Sequence, residues 1–299
     1  MGIRARGIAD RSRRWWPAWR AALIAGALAL IALAAGCSPS RSAPAPLSGH
    51  VLVVGSTALQ PLVTAAAQLF TQQHPNVQIE VRGGGSVAGL VAMANHTADV
   101  GDSDIYADPA TYPDPTISDH LVCVTPFVMI VNLGVSLTSL KHDDIIKIFS
   151  TGEVTNWKQL GGPDQPIVPV VRPATSGTRA TFRKYVLGGR DETGRLLTTD
   201  SSDTVRDTVA TIPGAIGYLA APVVNSSVRA LAMDGQAPTL ENIEAGRYSF
   251  WSFEHMYTAG DTTPATDAFL DFMLSGSVQQ VAQTQNYIPI ANMKLIPTS

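Results

Sequence analysis

Past residue 48 the apolar positions fall into two alternating patterns: short unbroken runs, and longer stretches in which they recur every three or four residues. VLVVGS (51–56) is a run of the first kind and predicts a strand. In the next stretch Leu59, Leu62, Val63, Ala66, Leu69 and Phe70 share one face at helical spacing. Thr57 followed by Gln60 predicts a capping box at its start, with Pro61 in the first turn. VQIEV (77–81) predicts a second strand, SVAGLVAMAN (86–95) a second helix, and ADVGDSD (98–104) a third strand running into a turn. Strand, helix, strand, helix, strand implies parallel pairing and an α/β layer sandwich.

The second half repeats the alternation around two longer runs. LVCVTPFVMIVN (121–132) suits a strand buried on both faces and long enough to cross between two sheets. LKHDDIIKIFSTGEVTNWKQL (140–160) predicts a surface helix and a turn, and IVPVVR (167–172) a strand. SGTRATFRKYVLGG (176–189) predicts a helix with Phe182, Tyr185 and Val186 on its apolar face and Gly188-Gly189 as its stop. GAIGYLA (214–220) and VRALAMD (228–234) predict strands, and YSFWSFEHMYT (248–258) is the second long run. TPATDAFLDFMLSGSVQQVAQTQN (263–286) predicts a closing helix. Two long, well-separated runs suggest two lobes joined by two crossings, with a cleft between.

The N-terminus changes the picture of where this body resides. Arg4, Arg6, Arg11, Arg13, Arg14 and Arg20 precede the apolar run AALIAGALALIALAA (21–35). A basic segment followed by an apolar one of this length reads as a secretory signal, short for a membrane span. It ends in Gly36-Cys37 and resembles a bacterial lipobox, in which cleavage precedes a cysteine that then carries lipid; Ala34 stands where leucine is usual, with Leu33 one position earlier. Residues 1–36 are therefore expected to be a lipoprotein signal peptide and Cys37 the site of lipidation by palmitate and related chains. Residues 37–49, rich in Pro, Ser and Ala, are expected to be a disordered tether to the outer face of the cell membrane. Cys123 is then left without a disulfide partner and reads as a buried, inert thiol.

The 299 residues carry 21 Lys and Arg against 24 Asp and Glu, a net charge of −3. That balance has no basic footprint for nucleic acid, and it requires any anion site to act through local dipoles. The six histidines (His50, His74, His96, His120, His142, His255) lack metal-binding spacing and read as exposed or loop residues.

Three predicted strand-to-helix turns are rich in donors: Ser56-Thr57, Gly83-Gly84-Gly85-Ser86, and Thr175-Ser176-Gly177-Thr178. Each alone is accounted for by a Ser/Thr helix cap. Gly83, Gly85 and Ala88 also fit a dinucleotide fingerprint, with Asp102 or Asp104 in reach of a ribose. Three converging turns, with Arg172 at a strand end, would instead surround one small tetrahedral oxyanion. Arg172 has a plainer alternative in a surface ion pair with Asp191 or Glu192, and Asp104 in capping a helix at Ile105.

Five ordered motifs sharpen the choice. GSTALQPL (55–62), GGGSVAGL (83–90), ADVGDSD (98–104), RPATSGTR (172–179) and PGAIGY (213–218) resemble those of the phosphate-binding proteins of bacterial phosphate ABC transporters. The resemblance implies a type II periplasmic-binding-protein fold: two α/β lobes, each a sheet flanked by helices, joined by two crossover strands. Residues 50–128 and 254–299 would form one lobe and 129–253 the other. By motif, the phosphate-binding residues would be Ser56, Thr57, Ala58, Ser86, Asp104, Arg172, Ser176, Gly177 and Thr178. Val87 and Thr175 stand where short family members often have glycine.

The implied protein is a monomeric binding lipoprotein, not an enzyme. It would need no cofactor or metal and would hand inorganic phosphate to ABC permease subunits. Alternatives are a receptor for sulfate, molybdate or tungstate, or a signalling or adhesion lipoprotein that keeps the fold. An ionised Asp104 only accepts hydrogen bonds, so it suits hydrogen phosphate, which has an O–H to give, and opposes sulfate, which has none.

Overall fold

The computed structural model describes residues 46–295; the signal segment, Cys37 and most of the tether lie outside the described residues. The first lobe opens with β1 (Gly49–Gly55), α1 (Gln60–Gln73), β2 (Val77–Arg82), α2 (Ser86–Ala94) and β3 (Val100–Ser103). β1 lies between β2 and β3 and runs parallel to both. Its alternate residues Val51 and Val53 are fully buried, the period of two that a sheet face imposes.

The helix α1 starts without a capping side chain at its Leu59 N-cap, so the expected Thr57 capping box is absent. Ser56 does this work instead: its Oγ accepts the amides of Ala58 at 3.0 Å and Leu59 at 3.2 Å. Thr57 is turned away because its hydroxyl accepts a hydrogen bond from Arg172.

The long strand β4 (Ser118–Asn132) carries the chain across the molecule. Two hydrophobic cores meet along it. Val122 and Cys123 belong to the first, with Val51, Leu62, Phe70 and Phe269; Phe127 through Val131 belong to the second, with Phe149, Trp157, Phe182 and Tyr218. Cys123 is buried and has no disulfide partner among the described residues.

The second core is enclosed by β5 (Ser139–Leu140), α3 (His142–Ile146), β6 (Val168–Val171), α4 (Gly177–Thr181), β7 (Leu197–Thr198), α5 (Ser202–Thr211), β8 (Ala215–Ala220), β9 (Val228–Met233) and α6 (Leu240–Glu244). β6 pairs in parallel with β7 and β8, while β8 and β9 run antiparallel to β4. The helical path of α4 continues through Phe182–Val186. Phe182 and Val186 are fully buried, but Tyr185 lies exposed, so the apolar face is narrower than the sequence pattern implies.

Strand β10 (Trp251–Thr258) brings the chain back, antiparallel to both β3 and β4. Here too the cores change: Phe250 and Phe253 pack into the second and Met256 into the first. The closing helix of the sequence reading is two helices, α7 (Pro264–Met273) and α8 (Gly276–Thr284), followed by β11 (Ile288–Pro289). The break falls at Ser275, whose side chain accepts the Val278 amide and starts a new helix.

Candidate functional site

The three donor-rich turns meet at one place. The first two lie at the C-terminal ends of β1 and β2 and the third follows β6, the location where ligands of open α/β sheets collect. The second and third turns touch directly: the Val87 amide donates to the Thr175 carbonyl at 3.1 Å. Gly85, at φ +90°, makes the approach possible, since a Cβ there would lie 2.6 Å from the Thr175 oxygen.

Asp104 is the hub. Its Oδ1 accepts from the Ser56 hydroxyl, its Oδ2 accepts from Thr178 Oγ1 at 2.7 Å, and its amide donates to Ser86 Oγ at 2.9 Å. One residue therefore ties together all three turns. No helix starts at Ile105, so the capping alternative for Asp104 is excluded.

Arg172 lies 1 % exposed at the C-terminal end of β6. Its Nη2 donates to Thr57 Oγ1 at 3.0 Å and to the Asp200 carbonyl at 3.1 Å, and its Nη1 to Ser202 Oγ at 3.4 Å. Its Nε finds no partner among the described residues. The ion pairs weighed from sequence do not form: Asp191 pairs with Arg183, and Glu192 with Arg179. Glu192 is used twice, since its other oxygen accepts the Tyr218 hydroxyl at 2.7 Å. The Tyr218 ring stacks on Phe182 with centroids 4.0 Å apart, so the second core fixes the floor under the third turn. Burial lowers the Arg172 pKa, and the charge of Asp104 partly offsets this.

Ser176 caps α4 by accepting the Arg179 amide at 3.2 Å. Gly177 packs against the first lobe so closely that a Cβ would overlap Ser86 Oγ and stand 2.9 Å from Asp104 Cβ. All nine residues named from the motifs thus fall around one point, and all are buried.

The sequence reading missed Ser202, Asp200 and Glu254. The first two flank the start of α5, where Ser201 and Thr204 form a capping box; this fourth serine-rich helix start was a usable signal. Glu254 left only the oddity of an acid inside an apolar run. His255 departs from the surface reading of the histidines: it is 1 % exposed in β10, with Nδ1 2.9 Å from the Asp119 carboxylate. Beside the site lies a cavity of about 600 Å³, lined by Asp104, Tyr106, Lys184, Tyr185, Trp251 and His255 among others.

Two cores, two crossings and a cleft-side ring of donors define a two-lobed binding protein, and the PBP superfamily domain matches residues 40–277. The phosphate-binding protein PstS of Bacillus subtilis (strain 168) is 41 % identical over 251 residues, covering 83 % of each chain. A putative phosphate ABC transporter substrate-binding protein with bound phosphate from Clostridium perfringens superposes with a TM-score of 0.75 at 28 % identity, over 81 % of this chain and 100 % of that one. An ABC-type phosphate transport receptor from Vibrio cholerae gives 0.64 at 27 % identity, over 80 % and 99 %. The chain belongs to the PBP superfamily and, within it, to the family of PstS phosphate-binding proteins. It is a binding protein and not an enzyme, as its relatives are.

Proposed function

We propose that this chain captures hydrogen phosphate between its lobes and delivers it to the permease of an ABC importer. The observation that carries this reading is Asp104, a buried carboxylate held among donors and beside a buried guanidinium. A carboxylate in an anion site is repulsive unless the ligand brings a proton. Hydrogen phosphate does, and its O–H can replace a hydroxyl now donating to Asp104. Arg172, Thr57, Ser176 and Thr178, with the Ala58, Ser86 and Gly177 segments, would supply donors to the remaining oxygens, and Ser56 would sit between Asp104 and the helix start. The Arg172 fork offers two parallel N–H groups to one phosphate edge.

The lobes are assigned to residues 50–128 with 254–299, and to 129–253; the core itself changes a few residues earlier on β4, between Cys123 and Val124, and on β10 between Phe253 and Met256. The protein would act as an extracytoplasmic monomer held at the membrane by lipid on Cys37. Cys37→Ser should then move it from the membrane fraction to the soluble one. Phosphate binding is tested by calorimetry on the full chain in detergent, stripped of carried-over phosphate and titrated with and without excess sulfate. One-to-one binding that sulfate leaves unchanged is expected. A folded, stripped sample that takes up no phosphate would refute the reading, and competition by sulfate would refute the role of Asp104.

A further inference from the structure

Glu254 is fully buried in β10, and the one hydroxyl beside its carboxyl, that of Thr125, is placed too loosely to satisfy either oxygen. An acid in that position needs a reason. The register supplies its neighbour. His255 pairs with Ser103 and Met256 with Asp102 across the antiparallel ladder, so one step further places Glu254 opposite Asp104. The two carboxyls lie within hydrogen-bonding reach of each other, and such a pair forms a hydrogen bond only when one member holds a proton.

Which member holds it follows from the donors. Asp104 accepts two well-placed hydroxyls and its backbone amide is anchored to Ser86; Glu254 has only the loosely placed Thr125 hydroxyl. Donors stabilise the ionised form, so the charge belongs on Asp104 and the proton on Glu254. The other titratable groups around Glu254 reinforce this. Asp102 on β3, Cys123 on β4 and Tyr287 before β11 are all buried, and none brings a positive charge. Burial, and then the charge of Asp104, push the Glu254 carboxyl well above the usual carboxylate range.

We propose that Glu254 is a specificity-determining residue: a neutral carboxylic acid whose O–H is donated to Asp104 from behind, holding Asp104 as an acceptor-only carboxylate toward the ligand. The inference rests on the phosphate reading of Asp104. With the Glu254 donor gone, Asp104 loses a hydrogen bond that favours its acceptor form, and the balance moves toward a form that donates to the ligand. A protonated Asp104 no longer opposes a fully ionised tetrahedral anion.

The test compares Glu254→Gln, which keeps a neutral donor of the same shape, with Glu254→Leu, which keeps only the volume. Phosphate and sulfate dissociation constants are measured by calorimetry on the full chain at pH 8, with thermal melts to establish folding. The Gln variant is expected to keep the native preference for phosphate over sulfate within about threefold, while the Leu variant loses at least about tenfold of it. Equal preference in folded Leu and Gln variants overturns the proposal, as does a folded Gln variant that loses what the Leu variant loses. If Leu does not fold, the Gln variant alone decides, because an ionised Glu254 would make that substitution change the preference by more than about tenfold. Failure of the native protein to bind phosphate at all would instead refute the underlying reading, a separate outcome.

Discussion

Arg172→Met separates what the site needs for binding from what the fold needs for stability. In the structure the guanidinium is buried, two of its nitrogens are shared among Thr57, Asp200 and Ser202, and its Nε has no partner among the described residues. That is an expensive way to hold a charge in the absence of an anion, and burial depresses its pKa accordingly. Arg172 makes no ion pair within 4 Å among the described residues, and taking an unpaired ion out of water costs several kcal/mol, a cost that an apolar side chain of similar length does not carry. The ligand-free variant should therefore melt no lower than the native protein.

Binding should behave in the opposite way. A two-pronged contact made of hydrogen bonds each contributing about 1.5–3 kcal/mol is lost, which raises the phosphate Kd roughly 10²- to 10⁴-fold. At phosphate a thousand times the native Kd, ligand adds about 4 kcal/mol to native stability but about 1.4 kcal/mol or less to the variant. Melts with and without phosphate read both numbers in one experiment. Native-like phosphate stabilisation of the variant, or a marked drop in its ligand-free melting temperature, would refute the argument. Arg172→Lys keeps the charge without the planar fork and should fall between the two.

Two further consequences follow from groups packed at the lobe contact. Gly177→Ala places a methyl against Ser86 and Asp104; closure should be wedged, weakening phosphate by about tenfold, within the 1–3 kcal/mol that overpacking costs. X-ray scattering in saturating phosphate should give it a larger radius than the native protein, and equal radii with equal affinity would exclude a wedge. Glu254→Gln should alter stability in a pH-dependent way. Burial raises the folded Glu254 pKa above its unfolded value, so the native protein keeps a proton that the unfolded chain releases. Its contribution is present in full below the unfolded value of about 4.3 and is lost as pH rises toward the folded one, at up to about 1.4 kcal/mol per pH unit. Urea unfolding at pH 5, 7 and 9 should show the amide variant gaining on the native protein as pH rises, and a constant difference would contradict a neutral Glu254.

The alternation of apolar runs and helical faces was enough to place β1 to β4, β6 and β8 to β10, because each of those strands is bounded by turn residues and buried on at least one face. Where prediction failed, a side chain was recruited by something distant in sequence. Thr57 looks like a cap but spends its hydroxyl on Arg172, 115 residues away, and Ser56 takes over the cap. His255 looks like a surface histidine until the pairing of β10 with β4 buries its ring and sets it against the partly exposed Asp119 carboxylate.

The site follows the same division. Turn residues could be read because glycine and hydroxyl side chains at a strand-to-helix turn have a local cause, the exposed amides of a helix start. Glu254 has no local cause. Its neighbours in sequence are Phe253 and His255, and nothing in that run distinguishes a functional acid from a surface one. Only the register of β10 against β3 sets it opposite Asp104, and only the poverty of donors around it, a loosely placed Thr125 hydroxyl against the two that serve Asp104, assigns the proton. The residues that touch an anion can thus be found one turn at a time, whereas the residue that sets the protonation of those groups is defined by pairing between strands some 150 residues apart, of which one returns from the other lobe.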